Sequence, residues 1–205
     1  MKRNKLIMLA SICFIVMLTF SATGIAAAAI ADSDEQMDQE TDANIWNNYM
    51  SQKGYATVYN HQDSKSNVLG RIPSDTIWMF SGHGGDLSGV GATRLYFGDP
   101  ANSLSYIAGG DVPSNTIKLA YADACKSSVR HWGMYDVSEG FINQGTTAYI
   151  GFTRTVSTGE SEDFTDEFGY LLIQGNTVHN SALWAGQRTN IGSDYTIYGD
   201  DSITI

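Results

Sequence analysis

Residues 77–85 have the sequence IWMFSGHGG, which is the stretch that decides the fold. The apolar run from Ile77 to Phe80 is short and unbroken, which is typical of a strand buried on both faces of a parallel sheet. The run ends in a glycine-rich turn that contains His83. We therefore predict a central strand with His83 just beyond its carboxyl end.

Two further segments contain a short apolar run typical of a buried strand. Residues 117–125, IKLAYADAC, form an apolar run that leads into Asp123 and Cys125, and residues 147–152, TAYIGF, form a third run. The apolar residues of segment 164–172 recur at i, i+4, i+7 and i+8, which indicates an amphipathic helix. Alternating strands and helices predict an α/β fold, a three-layer sandwich with a largely parallel central sheet.

His83 and Cys125 are the candidate catalytic residues of this sheet. Functional sites of such sheets lie beyond the carboxyl ends of the strands, so both residues are expected at one edge. A thiol is a useful nucleophile as a thiolate, and a nearby imidazole can accept its proton. Free backbone amides in a glycine-rich turn can stabilise an oxyanion. The residues thus permit acyl transfer, while a small core cysteine and a polar turn histidine remain the alternative.

Composition excludes several other classes of protein. The chain has 205 residues, 12 Lys and Arg against 22 Asp and Glu, and a net charge of −10. This length fits one domain with a substantial core. The chain lacks the basic footprint that a nucleic-acid binder needs. Its two cysteines are too few for a disulfide-stapled fold or a cysteine-rich zinc site.

The N-terminus has the pattern of a secretory signal peptide. Three basic residues occur in the first five positions, residues 6–31 carry no charge, and the run ends in the alanines 26–29. We predict a signal peptide over 1–31, cleaved between Ala27 and Ala31, and a secreted protein with no membrane contact afterwards. The alternative is an uncleaved anchor formed by residues 6–31.

Cleavage would leave Cys125 as the one cysteine of the mature chain, so it would have no intrachain disulfide partner. Residues 32–43 are polar and acidic, which predicts a mobile tail. The globular domain is expected over 44–205. No strand is evident before its first helix, so the front of the domain is expected to be short.

The blocks around His83 and Cys125 resemble the signature blocks of caspase-like cysteine peptidases, which include metacaspases, legumains, gingipains, clostripain and CHAT domains. Segment 81–84, SGHG, resembles the block that carries the catalytic histidine, and segment 123–125, DAC, resembles the D-x-C block of metacaspases. The resemblance spans roughly residues 55–205. Beyond the two blocks, three further segments are similar to parts of gingipain-type domains: 141–151, 164–185 and 198–205.

This resemblance implies a cysteine endopeptidase acting on a protein or peptide substrate through an acyl-enzyme. It implies Cys125 as nucleophile, His83 as general base and acid, and the backbone amides of Gly84 and Cys125 as the oxyanion hole. Asp123 would bind the basic side chain before the cut, which implies cleavage after Arg or Lys. A strand-end cap is the alternative for Asp123. Further pocket-lining residues implied by analogy lie in segment 149–155, in and after the third strand, and they include Tyr149, Gly151 and Phe152.

Some features depart from the family pattern. Lys126 replaces the His or Glu that usually follows the nucleophile, and no third catalytic partner is evident. A non-catalytic exported binding or regulatory module with the same fold is therefore the alternative function. Neither H-E-x-x-H nor C-x-x-C occurs, so no metal cofactor is expected. Asp99, Asp200 and Asp201 are candidate calcium ligands without a supporting motif.

Overall fold

The computed structural model describes residues 29–36, 40–86, 91–97 and 105–205. Most of the predicted signal segment, residues 1–28, lies outside the described residues. None of the helices in the described ranges is both long and apolar enough to cross a bilayer.

The described residues are built around one mixed sheet. Its main strands lie in the order β2-β1-β3-β6-β7-β8, where the first five run parallel and β8 is antiparallel to β7. Two short strands, β4 and β5, extend antiparallel from the end of β3. The strands are β1 Ile30–Glu35, β2 Ala56–His61, β3 Ile77–Gly85, β4 Arg94–Tyr96, β5 Tyr106–Ile107, β6 Leu119–Ala124, β7 Ala148–Phe152 and β8 Tyr195–Gly199.

Helices cover both faces of the sheet. They are α1 Glu40–Lys53, α2 Lys65–Arg71, α3 Val137–Asn143, α4 Thr158–Ile173 and α5 Val178–Arg188. Helices α1, α4 and α5 bury one core, in which Trp46, Tyr121 and Phe168 pack together. Helices α2 and α3 with the β4–β5 hairpin bury a second core on the opposite face, where Trp78 stacks on Phe141. The predicted three-layer α/β sandwich with a largely parallel sheet is confirmed.

Strand β1 is the main departure from the sequence analysis. The predicted mobile tail over residues 32–43 is wrong: residues 30–35 form a strand between β2 and β3, and α1 begins at residue 40. The acidic side chains are buried because they have a distant cationic partner. The Arg71 guanidinium donates to Asp32 Oδ2 at 2.8 Å and to Asp34 Oδ1 at 2.5 Å. The strand expected to be missing before the first helix is therefore present.

Candidate active site

Strands β3 and β6 bring the two candidate catalytic residues to one edge of the sheet. These strands are parallel neighbours, with Ser81 opposite Asp123 and Gly82 opposite Ala124. Cys125 follows Ala124 just after the end of β6, as predicted. The prediction that His83 lies in a turn beyond its strand is wrong: His83 is inside β3, because residues 83–85 pair with β4. The expectation that both emerge at the same sheet edge is therefore met, although 42 positions separate them in sequence.

A pocket of about 280 Å³ opens at this edge. One side consists of the carboxyl ends of β3 and β6, including His83, Asp123 and Cys125. The opposite wall consists of residues 155–158, which follow β7, and of Ser161 in the first turn of α4. Both residues of the predicted dyad thus line the same cavity as the predicted specificity residue.

Cys125 lies in a tight turn that is bonded to this wall. Its half-buried thiol donates to the Val156 carbonyl at 3.5 Å. The next residue, Lys126, has a left-handed backbone with φ of +53°, and its amide donates to the Arg154 carbonyl at 2.9 Å. Only glycine adopts this conformation without a steric cost, so the turn that follows the thiol is strained.

Gly84 is required by the close approach of the two strand ends. A Cβ atom at this position would lie 2.6 Å from the Cys125 carbonyl oxygen and 2.8 Å from the Ala124 Cβ. Both distances are shorter than any normal contact. The absence of a side chain at Gly84 therefore lets the backbone after His83 lie directly against the nucleophile turn.

A pair of buried carboxyl groups lies at the pocket: Asp123 lines it, and Asp42 contacts the lining residue Ser161. Asp123 is 3% exposed and its Oδ2 accepts from the Ser81 hydroxyl at 3.1 Å. Asp42, in the first turn of α1, is 1% exposed and its Oδ2 lies 3.2 Å from the Ser161 hydroxyl. The Oδ1 atoms of Asp42 and Asp123 are buried without another partner, and the two groups can hydrogen-bond to each other only if one is protonated.

Burial makes this pair hold a proton more tightly than free carboxyl groups do. Loss of solvent and then the negative charge of Asp42 raise the pKa of Asp123 well above its usual range. Burial also raises the pKa of Asp42, which the hydrogen bond from Asp123 opposes. Both carboxyl groups are therefore harder to ionise than free ones, as expected of two acids that share a buried site.

Three residues expected in the pocket lie in the core instead. The sequence analysis expected Tyr149, Gly151 and Phe152 to line the pocket, and the structure corrects this. The side chains of Tyr149 and Phe152 are fully buried in opposite cores, and the Tyr149 hydroxyl donates to the Ser127 carbonyl. A Cβ on Gly151 would lie 2.3 Å from the Ser127 hydroxyl. A central strand is covered on both faces, so its chain reaches the pocket only after it ends, at Thr155.

Two parts of the site were not predicted from the sequence. Asp42 was assigned to a mobile tail, and of the wall over 155–158 only Thr155 was expected. The only sequence signal for Asp42 is an acid beside Ala43, three residues before Ile45 and four before Trp46, in the first turn of a helix. The wall has no distinctive sequence pattern, because its role comes from its position after β7.

The two candidate calcium ligands that the structure describes, Asp200 and Asp201, have partners within the protein. Asp200 accepts from the amide and hydroxyl of Ser202, and Asp201 pairs with His179 at 2.8 Å. Asp99 lies outside the described residues. Within the described ranges, no group of three or more His, Cys, Asp or Glu side chains is arranged to hold a metal ion.

Comparison with known proteins identifies the fold. No family model matches the sequence, and no curated protein is significantly similar to it. The structure of the RgpB pro- and mature domains from Porphyromonas gingivalis matches with a TM-score of 0.64 and 16% identity, over 87% of this chain and 48% of that chain. The Saccharomyces cerevisiae separase–securin structure matches with a TM-score of 0.59 and 12% identity, over 85% of this chain and 12% of that chain.

A further structure, described as a protease, matches with a TM-score of 0.62 and 16% identity, over 85% of this chain and 48% of that chain. The chain thus spans about half the length of the RgpB chain. RgpB and separase are caspase-like cysteine peptidases. The chain has the caspase-like fold that the sequence blocks predicted, and at these identities the likeness concerns the fold alone.

Proposed function

We propose that this protein is a cysteine endopeptidase that cleaves peptide bonds after Arg or Lys. One observation carries the proposal: His83 and Cys125 line the same pocket as the buried carboxyl of Asp123. A nucleophile, a base and a buried acid in one cavity fit acyl transfer on a substrate with a cationic side chain.

Each group has a defined part in the proposed reaction. The Cys125 thiol breaks its hydrogen bond to the Val156 carbonyl and transfers its proton to His83. The Cys125 sulfur then attacks the carbonyl carbon of the scissile bond. The amides of Gly84 and Cys125 stabilise the resulting oxyanion. His83 returns the proton to the leaving amine as the carbon–nitrogen bond breaks, and water then hydrolyses the thioester between Cys125 and the acyl group.

The carboxyl pair accounts for the proposed preference for basic residues. A guanidinium or ammonium that enters the pocket would supply donors to the carboxyl group of Asp123, which lines it. The cation would also favour the ionised form of the pair, which burial otherwise penalises. An apolar or acidic side chain would supply no such donor, and a buried acceptor without a donor costs about 1–3 kcal/mol.

Fluorogenic peptides that differ only in the residue before the cut test this proposal. We expect hydrolysis with Arg or Lys at that position and none with Asp or Leu. Cys125→Ala and His83→Ala should each abolish hydrolysis. His179→Ala is the matched control, because His179 is exposed and pairs with Asp201 away from the pocket. Asp123→Asn should reduce kcat/KM for the Arg peptide by about tenfold or more.

Two results would overturn the proposal. Hydrolysis that persists in Cys125→Ala would show a different nucleophile. Absence of both hydrolysis and labelling of Cys125 by an acyloxymethyl ketone bearing Arg or Lys would favour a non-catalytic exported module. No His83 hydrogen bond to an orienting carboxylate occurs within the described part of the chain, which is the observation that keeps this second candidate open.

We further propose that the protein is exported and that its signal peptide is cleaved before Ile30. Ile30 and Ala31 pair with β2, and Ala31 also pairs with Ile77 of β3. A cut after Ala31 would remove two residues from a central strand. Mass spectrometry of protein from the culture medium should find an N-terminus between Ala28 and Ile30. An intact Met1 in the membrane fraction would instead support the anchored alternative.

A further inference from the structure

Arg154 makes a dense set of contacts beside the pocket. It lies two residues after β7, and all five N–H donors of its guanidinium are engaged. Nε donates to Asp194 at 2.7 Å, and the two terminal nitrogens donate to the Glu160 carboxylate at 2.8 and 3.3 Å. The remaining donors reach the carbonyls of Thr155 at 2.9 Å and Asn190 at 3.1 Å.

These contacts join the pieces that border the pocket. Thr155 is the first residue of the pocket wall. Glu160 lies in the first turn of α4, where it accepts from the Ser157 amide at 2.8 Å in a capping box. The guanidinium and this cap together hold the pKa of Glu160 at about 2, so the carboxylate stays charged across the working range of pH. The Arg154 side chain thus holds the wall at Thr155 directly and at Ser157 through Glu160.

The backbone of Arg154 fixes the other side of the pocket. Its carbonyl accepts from the Lys126 amide, the residue in the strained turn after the nucleophile. The wall in turn supplies the Val156 carbonyl that accepts from the Cys125 thiol. Arg154 therefore connects the nucleophile turn, the wall and the start of α4 through direct hydrogen bonds.

A stabilising surface ion pair is the simpler interpretation of Arg154. Its side chain is 33% exposed, and its partners Glu160 and Asp194 are 24% and 48% exposed. Exposed ion pairs add little to the free energy of unfolding because water screens them. The engagement of all five donors, two of them by loop carbonyls, is more than an ion pair requires, and it fits a role in fixing local geometry.

We propose that Arg154 is a positioning residue that holds the pocket wall at the distance from Cys125 that binding of a basic side chain needs. This inference rests on the proposed function for its substrate. It adds that the affinity of the pocket depends on a residue that does not touch the substrate.

Two alkylating reagents separate this role from general stability. Iodoacetamide reacts with the Cys125 thiol and carries no side chain for the pocket, whereas an acyloxymethyl ketone bearing Arg must fill the pocket first. In Arg154→Ala we expect the rate of inactivation by the ketone to fall about tenfold or more relative to the iodoacetamide rate. Arg154→Lys keeps the charge but not the planar set of donors, so it should fall between wild type and Arg154→Ala.

Arg188→Ala is the matched control for this experiment. Arg188 also pairs with a carboxylate, that of Glu167 at 2.9 Å, but it joins α4 to α5 away from the pocket. The ratio of the two alkylation rates should stay at the wild-type value in this variant. An unchanged ratio in Arg154→Ala, or an equal fall in Arg188→Ala, would overturn the inference.

Hydrogen exchange provides a readout that does not depend on activity. In Arg154→Ala, the amides of residues 153–160 and of Lys126 should exchange faster than in wild type and in Arg188→Ala. Unchanged exchange in these segments would overturn the inference. If the wild-type protein reacts with iodoacetamide but not with the ketone, the proposed function has failed, and the exchange experiment still decides whether Arg154 orders the wall.

Discussion

Gly84→Ala is a minimal test of how closely the two strand ends must approach. The added Cβ would lie 2.6 Å from the Cys125 carbonyl oxygen, and ordinary contact begins at 3.4 Å. The neighbour is backbone, so no side chain can rotate away. The end of β3 and the nucleophile turn must therefore separate by about 0.8 Å.

This displacement lies between the proposed base and the proposed nucleophile. A misplacement of about 1 Å can cost roughly a hundredfold in rate, so we expect kcat/KM for an Arg peptide to fall by about that factor. Forced insertion of a methyl group into a tight contact costs about 1–3 kcal/mol, so the free energy of unfolding should decrease by a similar amount.

Gly70→Ala makes the same chemical change where there is room for it. Gly70 lies in α2, and a Cβ there would meet no atom within 4 Å. Alanine favours a helix over glycine by about 0.5–1 kcal/mol, so this variant should be more stable and equally active. Peptide hydrolysis would be measured at a temperature where circular dichroism shows both variants folded. A Gly84→Ala variant with wild-type kcat/KM would refute the reasoning.

Two further predictions concern charge and strain. Burial and neighbouring carboxylates raise the pKa of Asp75 to about 8, so its contribution to stability is lost as pH rises towards that value. Asp75→Asn should therefore raise the free energy of unfolding by about 1–3 kcal/mol in urea at pH 9, with a smaller gain at pH 5. In the control Asp63→Asn, the variant should instead be less stable at neutral pH, because Arg71 lowers the pKa of Asp63; a gain there would contradict the argument. Lys126→Gly should relieve its left-handed backbone and stabilise the fold by about 1 kcal/mol in thermal unfolding, whereas Lys126→Ala should show no gain.

The strands that could be predicted from the sequence are those with a continuous apolar run. Strands β3 and β6 begin with the apolar runs 77–80 and 119–122, and His83 and Cys125 follow shortly after these runs, so the placement of both at one sheet edge could be predicted. Strand β1 could not be predicted from local pattern, because Asp32 and Asp34 are buried only through Arg71, a residue more than 35 positions away.

Some residues of the candidate site could also be predicted from local sequence, and others could not. Asp123 could be predicted because it precedes the nucleophile on the same strand. Asp42 could not, because its contact with the lining residue Ser161 depends on α1 packing against α4, a long-range contact that no spacing in the sequence encodes. The expectation for Tyr149 and Phe152 failed because a residue within a covered strand packs into the core, whereas binding residues follow the strand end.

The direction of β1 sets how the molecule presents its pocket to its surroundings. The strand starts at Ile30 and runs parallel to β3 and β6, so its first residue lies at the sheet edge opposite the pocket. Six residues of strand separate the two edges by about 20 Å. The described chain therefore begins on the side of the sheet away from the pocket. A surface or affinity tag attached at residue 29 would lie on that side and leave the pocket accessible to large substrates.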